Sequence, residues 1–446
     1  MALKRTLGTA DLTLLVIGNV IGSGIFLVPS EVLRVSGGSV TVASLVWLLG
    51  GVLSLLGALS YGELSAMDGG SGGLYGFIRD GFGRLPAFLY GWTLFFVIGS
   101  GTIATLAVAA ANYLGQFTEL SPTARKVVAD VFLLLIMVMT VRGTRGSASV
   151  QNVATAVKVG AILLMSALLF ALGDGGSSAG VAPAVTPPAP LTLASAGLAL
   201  IPVLWAYEGW QYVTFSDGDA LDPQRSLPRA IALGTAALVA IYLLANFAYL
   251  AALGPERVMA SDRVAGEAVA AVIGDGAARL LAGAIIISML SAALATVITA
   301  PRVFYNMAND GVFFRALGEV NPRFGTPALA IIACCAWGMV FPWVGTFSQL
   351  LNYVVFVGWI FYGLGAAAVI ALRIKRPDAR RPFRVPGYPV TPALFVLAAG
   401  AIVVNTVVSQ PRQAAIGLGM VALGAPAYYA WRARTQAPGA GARRTS

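Results

Sequence analysis

An all-α polytopic membrane protein of twelve transmembrane helices is the architecture this sequence predicts, and three observations carry it. Hydrophobic residues make up 58% of the 446 and charged residues only 11%. A soluble domain averages about 25% charged residues, so most of this chain must face lipid or other helices. Apolar runs long enough to cross a bilayer recur from end to end. Two of those runs are interrupted near their middles by glycine-rich or charged segments that a simple spanning helix would not use.

The runs fall at 12–35, 40–66, 85–114, 126–141, 149–172, 192–215, 229–253, 278–308, 327–345, 350–372, 390–409 and 414–431. The third and eighth are long enough to be tilted. Lys4 and Arg5 precede a run too long for a signal-peptide core and lack a small-residue cleavage site after it, so no cleavable leader is expected. When the spans are threaded alternately, most Lys and Arg fall on the side that carries both termini, which the positive-inside rule makes cytoplasmic. The heaviest contributors are Arg373, Lys375, Arg376, Arg380, Arg381 and Arg384, read first as a topology anchor and second as a lipid-binding patch. The net charge of +10 is therefore a matter of topology and not of nucleic acid. Arg125 and Lys126 fall on the other side against the rule, where pairing with Glu119 or Asp130 is expected.

The first interruption is Gly18-Asn19-Val20-Ile21-Gly22-Ser23-Gly24-Ile25-Phe26. Each glycine costs about 1 kcal/mol of helix propensity relative to alanine. Backbone freed from helical pairing survives in a membrane only where it is buried or lines a wet cavity. A break here would turn free N–H groups and a positive half-helix end toward an anion. Close helix contact through Gly18 and Gly22 is the alternative reading. The second interruption, Leu204-Trp205-Ala206-Tyr207-Glu208-Gly209-Trp210, lies five spans later, so its span crosses in the opposite sense. Two broken spans in matching positions point to an inverted-repeat transporter.

The expected organisation is then a cytoplasmic N-terminus at 1–11, a first repeat of helices 1 to 5 at 12–172, and an extracellular connector at 173–191. A second repeat of helices 6 to 10 follows at 192–373, a basic cytoplasmic loop at 374–389, helices 11 and 12 at 390–431, and a cytoplasmic tail at 432–446.

The chain has no histidine, and its two cysteines, Cys334 and Cys335, are adjacent and cannot readily bridge each other. No zinc pattern, disulfide framework or nucleophile–base pair is present, so neither an enzyme nor a cofactor or metal site is expected. Lys158, in the middle of the fifth span, is expensive in hydrocarbon and is a functional candidate by default. Glu208, inside the second interruption, reads equally as a selector of cationic side chains or as a cap on loosened backbone.

Several motifs together resemble the amino acid–polyamine–organocation permeases. They are the first interruption; Tyr61-Gly62-Glu63-Leu64; Gly70-Ser71-Gly72-Gly73-Leu74-Tyr75; the Trp205–Trp210 segment; Asp222-Pro223-Gln224-Arg225 with Leu227-Pro228-Arg229; and Pro301-Arg302-Val303-Phe304-Tyr305 through Asp310-Gly311. The sixth-span pattern is most similar to the prokaryotic L-type amino acid transporter branch. The resemblance implies the leucine-transporter fold with a 5+5 inverted repeat and two extra helices, alternating access, and an α-amino acid as cargo. It implies substrate contacts at Val20, Ile21, Gly22, Ser23, Gly24, Trp205, Ala206, Glu208 and Gly209, with Trp205 as the outer gate. The carboxylate would meet the Ser23 hydroxyl and Gly24 amide, and the ammonium the carbonyls of both breaks. In sodium-independent members a lysine of the fifth helix replaces an ion, which Lys158 matches. Its expected partners are carbonyls of Gly18 or Gly22 and hydroxyls of Ser288 or Ser291.

The function expected is sodium-independent exchange of L-amino acids in a bacterial inner membrane. Proton symport and transport of polyamines or other organic cations are the alternatives. The partners expected are the amino acid and the bilayer, with no nucleic acid and a monomer or weak homodimer. Because 112–125 has no cysteine where the animal L-type members bond to a glycoprotein, no disulfide-linked heavy subunit is expected. One departure from the family pattern, Asp217-Gly218-Asp219 in place of Ala-Gly-Glu, leaves the inner gate's details open.

Overall fold

The computed structural model describes residues 7–67, 72–115, 117–173 and 193–436. Gly70 and Ser71 of the glycine motif, most of the 173–191 connector and the end of the tail lie outside the described residues. Among the described residues every regular element is a helix, and an isolated parallel bridge joins Leu7 to Ala220.

The first span is two helices, α1 (Thr9–Val20) and α2 (Gly24–Val35), bent by 49° at the break between them. Ser39 then caps α3 (Val40–Ala66) by accepting from the Val42 amide. A short helix, α4 (Leu74–Phe82), follows. The third span is continuous but changes pitch: α5 (Arg84–Thr93) passes through a π-helical turn, Leu94–Ile98, into α6 (Gly99–Leu114). It is buried along most of its length, which sets it at the centre of the bundle. Next come α7 (Pro122–Arg142), with Ser121 as cap and proline in its first turn, and α8 (Thr144–Leu172).

The sixth span is α9 (Leu193–Ala206), a break at 207–209, and a 3₁₀ segment, Trp210–Asp219. Beyond it lie α10 (Pro223–Ala260), α11 (Val264–Val272), α12 (Asp275–Thr299), α13 (Pro301–Asn309), α14 (Ala328–Gly338) and α15 (Phe341–Val344). The chain ends with α16 (Phe347–Lys375), opened by a Thr346–Gln349 capping box, then α17 (Val390–Ser409) and α18 (Pro411–Gln436).

Eight described helices are long and apolar enough to span a bilayer, and the bent pair α1–α2 makes a ninth. The other three expected crossings fall short of that standard for visible reasons. The apolar part of α9 and the pair α14–α15 are short, and α7 carries Arg125, Lys126 and Asp130 in its first half. Twelve crossings thus remain an expectation.

Two stretches expected as loops are helical. The glycine-rich stretch after α3 forms α4, whose Leu74, Tyr75 and Ile78 are buried on one face. The stretch 254–275 continues α10 past a kink at Gly254 (φ 73°) and then forms α11, packed against α2 and α12. Among the described residues Arg125 and Lys126 make none of the ion pairs expected with Glu119 or Asp130. Lys126 lies over the Trp343 ring instead, and that indole donates to Asp130.

The arrangement that positions the site is the packing of the two broken spans. α2 runs along α9, while α1 lies against the 3₁₀ segment, so the two spans are antiparallel. Around them, α10 packs on both α1 and α3, and α8 and α12 close over α1 from the other side.

Candidate substrate site

Both interruptions are true breaks, and they touch. α1 ends at Val20, Ile21 turns extended (φ −71°, ψ 92°), and α2 begins at Gly24. The second break turns at Gly209, whose φ of +122° is a conformation that glycine adopts without penalty. A Cβ on Gly24 would come within 2.4 Å of the Ala206 Cα, and one on Gly209 within 2.9 Å of the Asn19 carbonyl oxygen. The glycines therefore do more than loosen helix: they let the two ruptured backbones meet.

The broken ends present opposite polar groups. At the start of α2, the amides of Gly22, Ser23 and Gly24 have no hydrogen-bond partner among the described residues. These are orphan donors at a positive helix end. The Ser23 hydroxyl, beside them, accepts from the Trp205 indole at 3.1 Å. Facing them are the carbonyls of Val20 and Ala206, where α1 and α9 stop. Both accept from the Tyr242 hydroxyl, at 3.2 and 3.0 Å, so one side chain of α10 ties the two broken spans together. Sequence reading missed Tyr242, because a tyrosine in an apolar run looks like ordinary core.

Lys158 is buried and donates to the carbonyls of Gly18 and Ile21, each at 2.8 Å, and to Ser291 Oγ at 3.3 Å. Of the expected alternatives, the carbonyl it meets is that of Gly18 and not Gly22, and the hydroxyl is that of Ser291. The Ile21 carbonyl is added, because the chain turns at Ile21 and aims that carbonyl at α8. Ser288 does not reach the lysine but donates to the same Ile21 carbonyl at 3.3 Å. Ser291 in turn donates to Gln151. The ammonium thus links α8, the first break and α12.

Glu208 makes no ion pair among the described residues. Tyr362 of α16 and Gln211 of the 3₁₀ segment both donate to its Oε1, the latter at 2.6 Å, and Gln211 also accepts from the Gly209 amide at 3.3 Å. Tyr61 donates to the Tyr362 carbonyl. The carboxylate is held within a hydroxyl and amide network around the second break, as a backbone-organising group would be.

Trp205 meets Phe347 edge-on, and Phe347 lines a cavity of about 900 Å³ bounded by α2, α6, α9 and the start of α16. Asn352 borders the same cavity. The tryptophan thus joins the break, through Ser23, to an aromatic residue of the vestibule wall.

A family model described as amino acid permease matches residues 7–425. The chain belongs to the amino acid permease family. Among its relatives, the large neutral amino acids transporter small subunit 2 of Mus musculus is 30% identical over 444 residues, covering 96% of this chain and 81% of its own. The b(0,+)-type amino acid transporter 1 of Mus musculus is 30% identical over 429 residues, covering 92% and 84%. The human cystine/glutamate transporter is 31% identical over 433 residues, covering 96% and 85%. The chain is thus a multi-pass membrane permease and not an enzyme, as its sequence led one to expect. These relatives are mammalian and lend no support to the expectation of a bacterial membrane. The words "small subunit" in one of their names also stand against the expectation of no heavy subunit.

Proposed function

We propose that this permease carries L-amino acids by alternating access, without sodium and in exchange for another amino acid. The single observation that carries the reading is the contact of two antiparallel breaks, with free amides and a hydroxyl on one side and carbonyls on the other. A zwitterion is the small solute that uses both. In this reading the carboxylate meets Ser23 Oγ and the amides of Gly22 and Gly24, and the ammonium meets the carbonyls of Val20 and Ala206. Trp205 gates the outer side, Glu208 and Gly209 shape the second break, and Lys158 does the work of an ion. The relatives' names, all amino acid transporters, support the substrate class. The three short or charged segments complete twelve spans, the halves 12–172 and 192–373 form the repeat, and both termini are cytoplasmic.

Proton symport is the second reading, favoured by two buried ionisable groups, Lys158 and Glu208, that lack an ion-pair partner among the described residues. The test is counterflow in liposomes. Preloaded amino acid should drive uptake of labelled amino acid with sodium absent and no pH gradient. Uptake that demands sodium, or a pH gradient with no internal amino acid, overturns the exchanger.

A further inference from the structure

A serine that opens a helix ordinarily turns its oxygen onto an amide of the first turn. Ser23 opens α2 without doing so: its side chain takes no backbone N–H. That oxygen accepts instead from the indole of Trp205, 3.1 Å away on the other broken span. Both residues are buried, with 1% and 4% of their surface exposed. A serine hydroxyl has one proton to give, and this one has no acceptor among the described residues. The amides of Gly22, Ser23 and Gly24 beside it are equally unmatched. The start of α2 therefore presents donors only, with the indole N–H on the acceptor side of the hydroxyl. A carboxylate, which only accepts, suits such a corner. A carboxamide does not, because its NH2 group would point a donor at donors.

We propose that Trp205, through its indole N–H, fixes the Ser23 hydroxyl as a donor and so makes the site select a free carboxylate over a carboxamide. The inference rests on the amino acid reading above and names the residue that sets its carboxylate preference. Trp205 is then a positioning residue as well as an aromatic gate: its ring meets Phe347, and its N–H orients Ser23. Without that N–H, the serine oxygen has both lone pairs open and can accept from an amide NH2. Discrimination then falls although the ring stays.

Counterflow in sodium-free liposomes tests this, with labelled leucine, alanine and lysine each competed by itself and by its own carboxamide. Slightly acid buffer keeps the carboxamide's ammonium charged. The quantity read is the ratio of the two half-inhibiting concentrations, which does not depend on folded yield. The wild-type chain should favour the amino acid, and Trp205→Phe should shrink that preference about tenfold, the weight of one hydrogen bond. Ser23→Ala should shrink it too, and adding Trp205→Phe to Ser23→Ala should change nothing more, since the indole acts through that hydroxyl. A wild-type ratio in Trp205→Phe overturns the proposal. So does a loss of equal size with and without the serine, which would leave the tryptophan a gate alone. A wild-type chain that exchanges no amino acid overturns the transport reading instead.

Discussion

Replacing Lys158 with methionine is the sharpest perturbation of the site, because the structure sets both sides of its ledger. The substitution keeps the volume and removes the charge. Gly18 then loses the one donor its carbonyl has among the described residues, while the Ile21 carbonyl keeps Ser288 and Ser291 keeps Gln151. An orphaned buried carbonyl costs about 1–3 kcal/mol. Against that, an ammonium no longer has to be desolvated, a relief of several kcal/mol. Stability should therefore change little, and the loss should appear in transport, where the first break is no longer tied to α8 and α12. At about 1.4 kcal/mol per tenfold, the expected fall in counterflow rate is about 10- to 100-fold with the folded yield unchanged. Lys158→Arg should not rescue it, since a planar fork cannot replace a point charge set between two carbonyls. Initial rates in liposomes, beside unfolding midpoints in detergent, separate the two quantities. A methionine variant that transports at the wild-type rate would refute the reasoning.

Gly24→Val should abolish transport and lower stability by about 1–3 kcal/mol, because its side chain would collide with the Ala206 backbone; a functional valine variant would show that the breaks need not touch. Tyr242→Phe should slow exchange about tenfold while raising substrate KM little, since it strips a shared donor from Val20 and Ala206; a change confined to KM would contradict its tying role. Glu208→Gln should leave the preference between neutral and cationic amino acids unaltered, because Tyr362 and Gln211 hold its Oε1 in the network around the second break. A competition assay in which lysine or arginine loses its inhibition selectively in that variant would make Glu208 a selector. Ser23→Trp should abolish amino acid uptake, and unchanged uptake would remove the carboxylate assignment.

The bundle and both breaks were legible in the sequence because membranes punish irregularity: glycines at mid-span and a lone lysine are too costly to be there by chance. Lys158 could be named a functional candidate from that cost alone, whereas its expected partners came from the resemblance to the permease family. What could not be read was register. Ile21 joins Gly18 as the lysine's partner because of one extended residue, a turn that no propensity announces. Tyr242 and Tyr362 were invisible for a different reason. In apolar spans an aromatic ring packs the same way whether or not its hydroxyl meets a broken backbone. The helices α4 and α11 were read as loops because glycine and charge dominate their surroundings, while each buries only one short face.

Counterflow of α-amino acids against their decarboxylated amines, matched side chain for side chain in the same sodium-free liposomes, bears most directly on the pairing of the two ruptured helices. Amino acids should exchange and the amines should neither exchange nor compete, since only the former fill both the amide end and the carbonyl end. Amines that exchange as fast as their parent amino acids would contradict the account.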